Sequence, residues 1–367
     1  MKRIGLFGGS FDPIHKAHVE IAMCAIEQLH LDEVQLIPTR HNPWKNQSCA
    51  SAQDRIEMIR IAIQDYPSLT INTIEIEDGG EDKNYTIHTI EKLIHQHPDV
   101  QYYYIMGMDQ ANAFDQWKKA KRISQLVHLI AFQRGGYQPH LDIINKYHFQ
   151  LLENQPVYAS SSDVRNGHIE MLDSNVLRYI SYHGLYLETM VSSRMKEKRW
   201  KHTCSVAKLA KKIAKANHLD SRQAYIAGIM HDVAKEMDKD MAQKIMEKHF
   251  SEYLAKPYPI WHQWLSRYVS EHEFLIDDAV VLKAIEDHTT ASIGISPIGK
   301  CLYVADKLDP LRGYDSSKQI EICLHDIHQG FRNSLIDFYE FSKRRTERLM
   351  NVFMKFTIFM LRKGKNK

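Results

Sequence analysis

The spacing of apolar residues changes character once along this chain, and that change limits the folds open to it. As far as residue 187, short apolar runs alternate with helical patterns. Ile4–Phe7, Val34–Pro38, Thr70–Ile76, Gln101–Met106 and His128–Phe132 read as strands. Val19–Leu29, Arg55–Ile63 and Thr86–His95 carry apolar residues at helical spacing. Such alternation predicts a parallel sheet with helices on both faces. After Ser192-Ser193 strand signals stop, and helical patterns continue, broken by Pro257, Pro259, Pro297 and Pro310. The expectation is an α/β domain followed by an all-α domain, with the boundary near Leu187–Arg194.

Charge changes at the same place. Residues 1–190 hold 17 Lys and Arg against 23 Asp and Glu, and residues 191–367 hold 31 against 22. The two halves suit different surroundings. With 44% hydrophobic and 25% charged residues over 367 positions, each half has material for its own core, and a disordered chain is excluded. Cys24, Cys49, Cys204, Cys301 and Cys323 are scattered without a CxxC. That argues against a disulfide framework or zinc ribbon and fits a cytoplasmic location. The apolar run after Lys2-Arg3 is too short for a signal peptide, and Val352–Met360, interrupted by Lys355, is too short to span a bilayer.

The first strand runs into Gly8-Gly9-Ser10-Phe11-Asp12-Pro13-Ile14-His15-Lys16-Ala17-His18, then into a helix. Glycines at a strand end allow close backbone approach to a ligand. The helix N-terminus that follows offers free amides to phosphate. His15 and His18, three apart, project from one face of the first turn. Two imidazoles and a helix start aimed at one point suit a polyphosphate whose charge grows in phosphoryl transfer. The plainer alternative, a turn with two surface histidines, would lead for a lone Gly-Gly but not for the full string. Asp109, just after a strand, sits where ligands bind in parallel α/β sheets and could accept ribose hydroxyls. Its plainer reading is a helix cap. Ser160–Ser162 before Asp163-Val164-Arg165 is a cap cluster that could also hold a triphosphate.

The string resembles the nucleotidylyltransferase signature GxFDPxHxGH, with Ala17 for the second glycine. The His15-x-x-His18 form is most similar to the nicotinate-mononucleotide adenylyltransferases. Asn84-Tyr85-Thr86-Ile87-His88-Thr89 resembles that family's SYTxxT, Gly107-Met108-Asp109 with Trp117 its GxD…W, and Ala159–Arg165 its ISSTxIR. The resemblance implies a Rossmann-like fold over residues 1–189. It also implies adenylyl transfer from ATP, carried with Mg²⁺, to nicotinate mononucleotide. His15, His18, Lys45 and Arg165 would then serve catalysis. Gly8, Gly9, Ser10, Phe11, Gly107, Asp109, Ser161, Ser162 and Arg165 would bind ATP. Lys45, Tyr85, Thr86 and Trp117 would hold the nicotinate nucleotide, with Trp117 on the ring and Tyr85-Thr86 against its carboxylate.

The 21 histidines are more than packing needs, and a second set is ordered along the helical half. It comprises His202, His231-Asp232, His262, His288 and Asp306. Imidazoles with carboxylates suit Fe, Mn, Mg or Zn rather than soft thiolate chemistry. Asp232 could bridge two metals, which together would clamp a phosphate and activate water. Any one of these histidines alone is better read as a core or surface residue.

The ordered set resembles the HD phosphohydrolase superfamily, and more narrowly the HD-domain symmetrical diadenosine-tetraphosphatases. The carrying segments are Arg199-x-x-His202, His231-Asp232-Val233-Ala234-Lys235, Ile285-x-x-His288-Thr289-Thr290 and Ala305-Asp306-Lys307-Leu308-Asp309-Pro310-x-Arg312. It implies an HD domain over residues 190–367 that hydrolyses a dinucleoside polyphosphate. The implied centre is dinuclear (Fe, otherwise Mn or Zn), with Asp232 catalytic. Arg199, Lys235 and Arg312 would hold phosphates. Trp264-Leu265-Ser266 replaces the family's small-residue pair after the third histidine, which leaves His272 competing with His262. A regulatory HD module without turnover is the rival reading. The basic tail Lys343–Lys367 is read as a packed or intersubunit helix, so neither membrane nor nucleic acid is an expected partner. A homo-oligomer is compatible with the sequence.

Overall fold

The computed structural model describes residues 1–40, 50–77 and 85–345. It divides into two compact units, Met1–Val176 and Leu177–Lys367.

In the first unit the strands are β1 (Lys2–Gly9), β2 (Glu33–Pro38), β3 (Leu69–Ile71), β4 (Val100–Gly107), β5 (His128–Phe132) and β6 (Gln150–Leu151). They form one sheet in the order β3-β2-β1-β4-β5-β6, and every pairing is parallel. The chain order reverses between β1 and β4, the switch point where doubly wound sheets bind ligands outside their carboxyl ends. The intervening helices are α1 (Lys16–Leu29), α2 (Ala52–Ile63), α3 (Ile74–Glu77), α4 (Thr86–Gln96), α5 (Met108–Asn112), α6 (Ala120–Leu126) and α7 (Leu141–Lys146). The apolar strand centres are why the sheet folds: Leu6, Leu36, Ile105 and Ile130 are fully buried, as parallel strands covered on both faces must be.

One expected strand is shorter than its pattern. Thr70–Ile76 pairs only through Ile71, and Ile74–Glu77 is helical. Asn72 ends the strand by accepting the Ile74 N–H at 3.0 Å and donating to Gln35 at 2.7 Å. This side-chain turn competes with the ladder. The two-residue β6 had no periodicity to reveal it.

After α8 (Ser161–Arg165), α9 (Ser174–His183) and α10 (Leu187–Ser192) the second unit is wholly helical among the described residues. It contains α11 (Glu197–Ala216), α12 (Ser221–Met230), α13 (Lys239–His249), α14 (His262–His272), α15 (Ala279–Asp287), α16 (Pro297–Lys307), α17 (Ser317–His325) and α18 (Ile327–Arg345). The division between units falls earlier than the change in composition, because Ser181 of α9 donates to the Phe274 carbonyl at 2.5 Å within the helical unit. No helix among the described residues is long and apolar enough to cross a membrane, and Cys24, Cys204, Cys301 and Cys323 are free thiols.

Helix α11 buries Thr203, Val206, Ala207, Ala210, Ile213 and Ala214, a single stripe at helical spacing. Its partner α12 buries Ala224 and every residue from Ile226 to Met230, the mark of a central helix. The two lie close enough that a Cβ on Gly228 would stand 2.5 Å from the Ala207 Cα. Gly228→Ala is therefore expected to destabilise the helical unit by about 1–3 kcal/mol through overpacking. Thermal unfolding should report it; an unchanged melting temperature would contradict this packing.

Candidate functional sites

A cavity of about 560 Å³ opens at the switch point of the first unit. It is lined by β1 through Phe7, by the loop that follows through Ser10 and His15, by α1 through His18, and by α5 through Asp109. Trp117, Arg134, Ser161 and Ser162 also line it. The imidazoles of His15 and His18 lie with ring centroids 3.7 Å apart. His18 is packed between Phe7 and Phe11. Its Nδ1 accepts the His15 backbone N–H at 3.2 Å, so its proton sits on Nε2. Burial, then the Arg134 charge, lowers the His15 pKa to about 4, and burial holds His18 well below its usual range. Both rings are neutral at pH 7 and act as hydrogen-bond groups rather than as charges. The buried Nδ1 of His15 has no hydrogen-bond partner.

Asp109 pairs through Oδ2 with Arg134 at 2.9 Å, while its buried Oδ1 has no hydrogen-bond partner. A Cβ at Gly107 would come within 2.6 Å of that Oδ1, which is the local reason for glycine there. Ser160 caps α8 by accepting the Asp163 N–H at 3.2 Å. Ser161 donates to the Pro13 carbonyl at 2.8 Å. The plainer capping role is thus filled. Arg165 donates to the Asp12 carbonyl at 2.5 Å and to Ser162 at 3.1 Å; it does not line the cavity.

Trp117 reaches the cavity with its ring 5.9 Å from Tyr104, and Tyr104 is hydrogen-bonded to Thr86. Tyr104 therefore links two of the expected nucleotide residues. Tyr85 lies under the Lys118 ammonium, 3.9 Å from its ring centroid. Beside them the Glu75 carboxyl, buried, accepts from Thr89 at 2.9 Å and is pushed up to about 7 by that burial. Lys45 and Asn84 lie outside the described residues.

Sequence reasoning missed Arg134, although it follows β5 at the carboxyl end where ligands bind. It also missed Arg55, which is 1% exposed and donates to the Ser10 carbonyl at 2.7 Å behind the glycine loop. Tyr104, inside a strand, carried no signal at all.

The second site lies inside the helical unit. Central helix α12 ends at Met230 and delivers His231 and Asp232 into the interior, where they are 0% and 3% exposed. His288 follows the last residue of α15, Asp306 is in the last turn of α16, and His262 opens α14. Three helix C-termini thus bring their negative dipole ends to one place, which favours a cation.

Three of the imidazoles share one orientation. Nδ1 of His231 is 2.7 Å from the Gly228 carbonyl. That of His288 is 2.6 Å from Ile285 O, and that of His262 is 3.0 Å from Pro259 O. A carbonyl only accepts, so Nδ1 of His231 and of His288 carries the proton and their Nε2 atoms are the ones turned inward. His262 also has Lys235 Nζ 2.8 Å from its Nδ1, and its Nε2 lies 3.1 Å from that of His288. His202 differs, because both its nitrogens face carboxylates, Nδ1 2.6 Å from Asp309 Oδ2 and Nε2 3.1 Å from Asp306 Oδ1. Burial lowers its pKa, but the two carboxylates outweigh that and raise it.

Two triads meet metal-binding distances, His202–His231–Asp232 and Asp232–His262–His288, and Asp232 belongs to both. The Nε2 of His231 is buried without a hydrogen-bond partner. Converging lone pairs beside buried carboxylates fit a divalent metal, and this donor set is the borderline N/O kind. Burial lowers His262 to about 3 and His288 well below its usual range, keeping both able to ligate.

His262 stands 3.4 Å from Asp232 through Nε2. His272, at the exposed far end of α14, bonds the Tyr268 carbonyl instead. Arg199 pairs with Asp232 at 2.7 Å, Arg312 with Asp306 at 2.5 Å, and Lys235 Nζ stands 3.0 Å from His262 Nε2. All three expected phosphate-holding cations therefore stand at the cluster. Thr289, not anticipated, lies 3.0 Å from the Nε2 of both His262 and His288.

A Rossmann-like nucleotide site in one unit and a mixed His/Asp metal cluster in the other define a protein that handles phosphates twice. Comparison with known proteins agrees with that class. Residues 6–174 match the cytidylyltransferase-like family and residues 199–311 the HD domain. A Mycoplasma genitalium protein named probable nicotinate-nucleotide adenylyltransferase/Ap4A hydrolase is 31% identical over 315 residues, covering 85% of this chain and 88% of that relative. Its Mycoplasma pneumoniae namesake is 28% identical over 341 residues, covering 90% and 97%. A Bordetella avium protein named probable nicotinate-nucleotide adenylyltransferase is 40% identical over 202 residues, covering 51% of this chain and 98% of its own length. The chain belongs to the nicotinate-nucleotide adenylyltransferase/Ap4A hydrolase family.

Proposed function

We propose that the chain is a bifunctional enzyme. Its first unit transfers the adenylyl group of ATP to nicotinate mononucleotide, giving deamido-NAD and pyrophosphate. Its second hydrolyses diadenosine tetraphosphate to two ADP. One observation carries the pairing: relatives bearing both names match across both halves of the chain.

In the first reaction the phosphate oxygen of the mononucleotide attacks the α-phosphorus of ATP, which enters with Mg²⁺. The bond to the β-phosphate bridging oxygen breaks and pyrophosphate departs, so no protein nucleophile is needed. Neutral His18 donates from Nε2 to oxygens that gain charge, with His15 beside it. Lys45 and Arg134 neutralise phosphates, and Arg165 joins them by turning from the Asp12 carbonyl that holds it outside the cavity lining. Gly8, Gly9, Ser10, Phe11 and Gly107 give the triphosphate and ribose close backbone approach. Asp109 accepts ribose hydroxyls through the oxygen that lacks a partner, and Ser161 and Ser162 close the phosphate side. Trp117, Tyr85 and Thr86 receive the pyridine ring and its carboxylate.

In the second reaction His202, His231, Asp232, His262, His288 and Asp306 would hold a pair of divalent cations, iron in preference to manganese or zinc. When bound, these supply Lewis acidity and an activated water. Water oxygen adds to one β-phosphorus and the other ADP leaves. Arg199, Lys235 and Arg312 turn from the ligand carboxylates and His262 toward the tetraphosphate chain. Free cysteines and the metabolite substrates support a cytoplasmic setting.

Anaerobic purification, metal analysis and assay of both reactions on one sample test the proposal. Deamido-NAD should form without the helical unit's metal, and ADP release should stop on chelation. A metal-loaded chain that turns over no dinucleoside polyphosphate would instead mark the helical unit as a regulatory module.

A further inference from the structure

His202 differs from the other three imidazoles of the metal cluster. Their Nδ1 atoms stand at backbone carbonyls of their own helices or turns, whereas that of His202 meets a carboxylate from a segment more than a hundred residues away. We propose that Asp309 is the positioning residue of the metal centre. It holds the Nδ1–H of His202 and so keeps Nε2 turned toward Asp306 and His231.

The inference rests on reading the helical unit as a metal site, and its geometry is closed. Asp309 is 0% exposed. Its Oδ2 stands 2.6 Å from His202 Nδ1. Its Oδ1 accepts from Ser205 Oγ at 2.5 Å and from the Leu311 backbone N–H at 3.2 Å. With both oxygens engaged, Asp309 is not itself a ligand. The Leu311 contact caps the short turn Pro310–Arg312, and Ser205 stands one turn beyond His202 on α11. One carboxylate thereby ties the α11 ligand to the segment that follows the Asp306 ligand. A carboxylate behind a ligating imidazole fixes its tautomer and raises its basicity, and loss of such a partner costs about 10- to 100-fold in metal affinity. In the sequence Asp309 is one more residue of the Ala305–Arg312 segment, with no sign of a role of its own.

Asp309→Asn makes the idea testable. The Leu311 N–H and the Ser205 hydroxyl still need an acceptor, so the amide oxygen stays at the Oδ1 position and the NH₂ faces His202. Two donors cannot face each other, so Nδ1 must give up its proton and the ring keeps one only on Nε2, the metal-facing nitrogen. The experiment uses the full chain, metal-free for nitrogen NMR of the histidine tautomers, then titrated with Co²⁺. In the wild type His202 Nδ1 should carry a proton. In Asp309→Asn Nδ1 should lose its proton, and Co²⁺ affinity should fall about 10- to 100-fold with the circular dichroism spectrum unchanged. A wild-type His202 whose Nδ1 carries no proton overturns the proposal even if the variant does not fold. So does a folded variant that binds Co²⁺ as the wild type does. If the wild type takes up no Co²⁺, the metal-site reading fails, while the tautomer measurement still decides the role of Asp309.

Discussion

Asp232→Ala is expected to abolish tetraphosphate hydrolysis while leaving adenylyl transfer near its wild-type rate. Asp232 is the carboxylate common to both ligand triads. It lies 3.4 Å from His262, 3.6 Å from His231 and 3.9 Å from His288. On the proposed dinuclear centre its removal would take a ligand from each cation at once and leave four imidazoles and Asp306 to hold them. Burial pushes its carboxyl up, but the surrounding groups hold it well below the usual carboxylate range. The charge a bridging ligand needs is therefore present at neutral pH. Arg199 loses its partner as well. Because the first unit is a separate compact body, its reaction serves as the internal control for folding. His262→Ala should weaken one metal more than the other, and His272→Ala should change little. Metal stoichiometry and ADP release for the three variants are the measurement. Full hydrolysis by Asp232→Ala would end the metal-centre reading. Loss of metal in His272→Ala but not in His262→Ala would exchange the two histidines.

The architecture was legible because both halves bury their elements in strict periods. Apolar strand runs alternating with helical stripes leave few arrangements besides a parallel sheet. The helical half then had no strand left to place. Thr70–Ile76 misled because Ile71, Ile74 and Ile76 keep their apolar character through a change of structure. The signal that mattered was the polar Asn72 between them, whose side chain replaces the ladder partner.

The metal cluster was legible as residue types in order, since few structural needs call for histidine and aspartate in apolar surroundings. What supports those ligands was not. Asp309 looks like an ordinary cap before a proline, and only the fold brings it to His202. Arg134 is one cation among 48 until β5 is seen to end beside Asp109. Lys45 was read from its motif alone and lies outside the described residues.

His15→Ala and His18→Ala are each expected to lower kcat for adenylyl transfer by about 10²–10³-fold, with smaller changes in KM. Donors placed where charge develops act mainly on the transition state. The structure refines how they act. Both rings are neutral, so what each alanine removes is a directed N–H rather than a positive charge. His18 also accepts the His15 amide, so His18→Ala leaves that helix-start donor without its partner. His18→Asn, which retains an oxygen near the same place, separates this local role from catalysis. Stability should return with asparagine and activity should not.

Neutrality fixes the pH behaviour too. The unfolded chain takes up protons on these rings near 6.5, whereas folded His15 does so only at about 4. The native state therefore binds fewer protons between those values, and stability falls as pH drops through that window. The cost is about 1.4 kcal/mol per pH unit for each fully neutral ring. Their ring C–H resonances should hold the neutral position from pH 8 to 5.5. A titration of either ring near 6.5 would mean that the site works with an imidazolium. Unchanged kcat in both alanine variants would remove the pair from catalysis altogether.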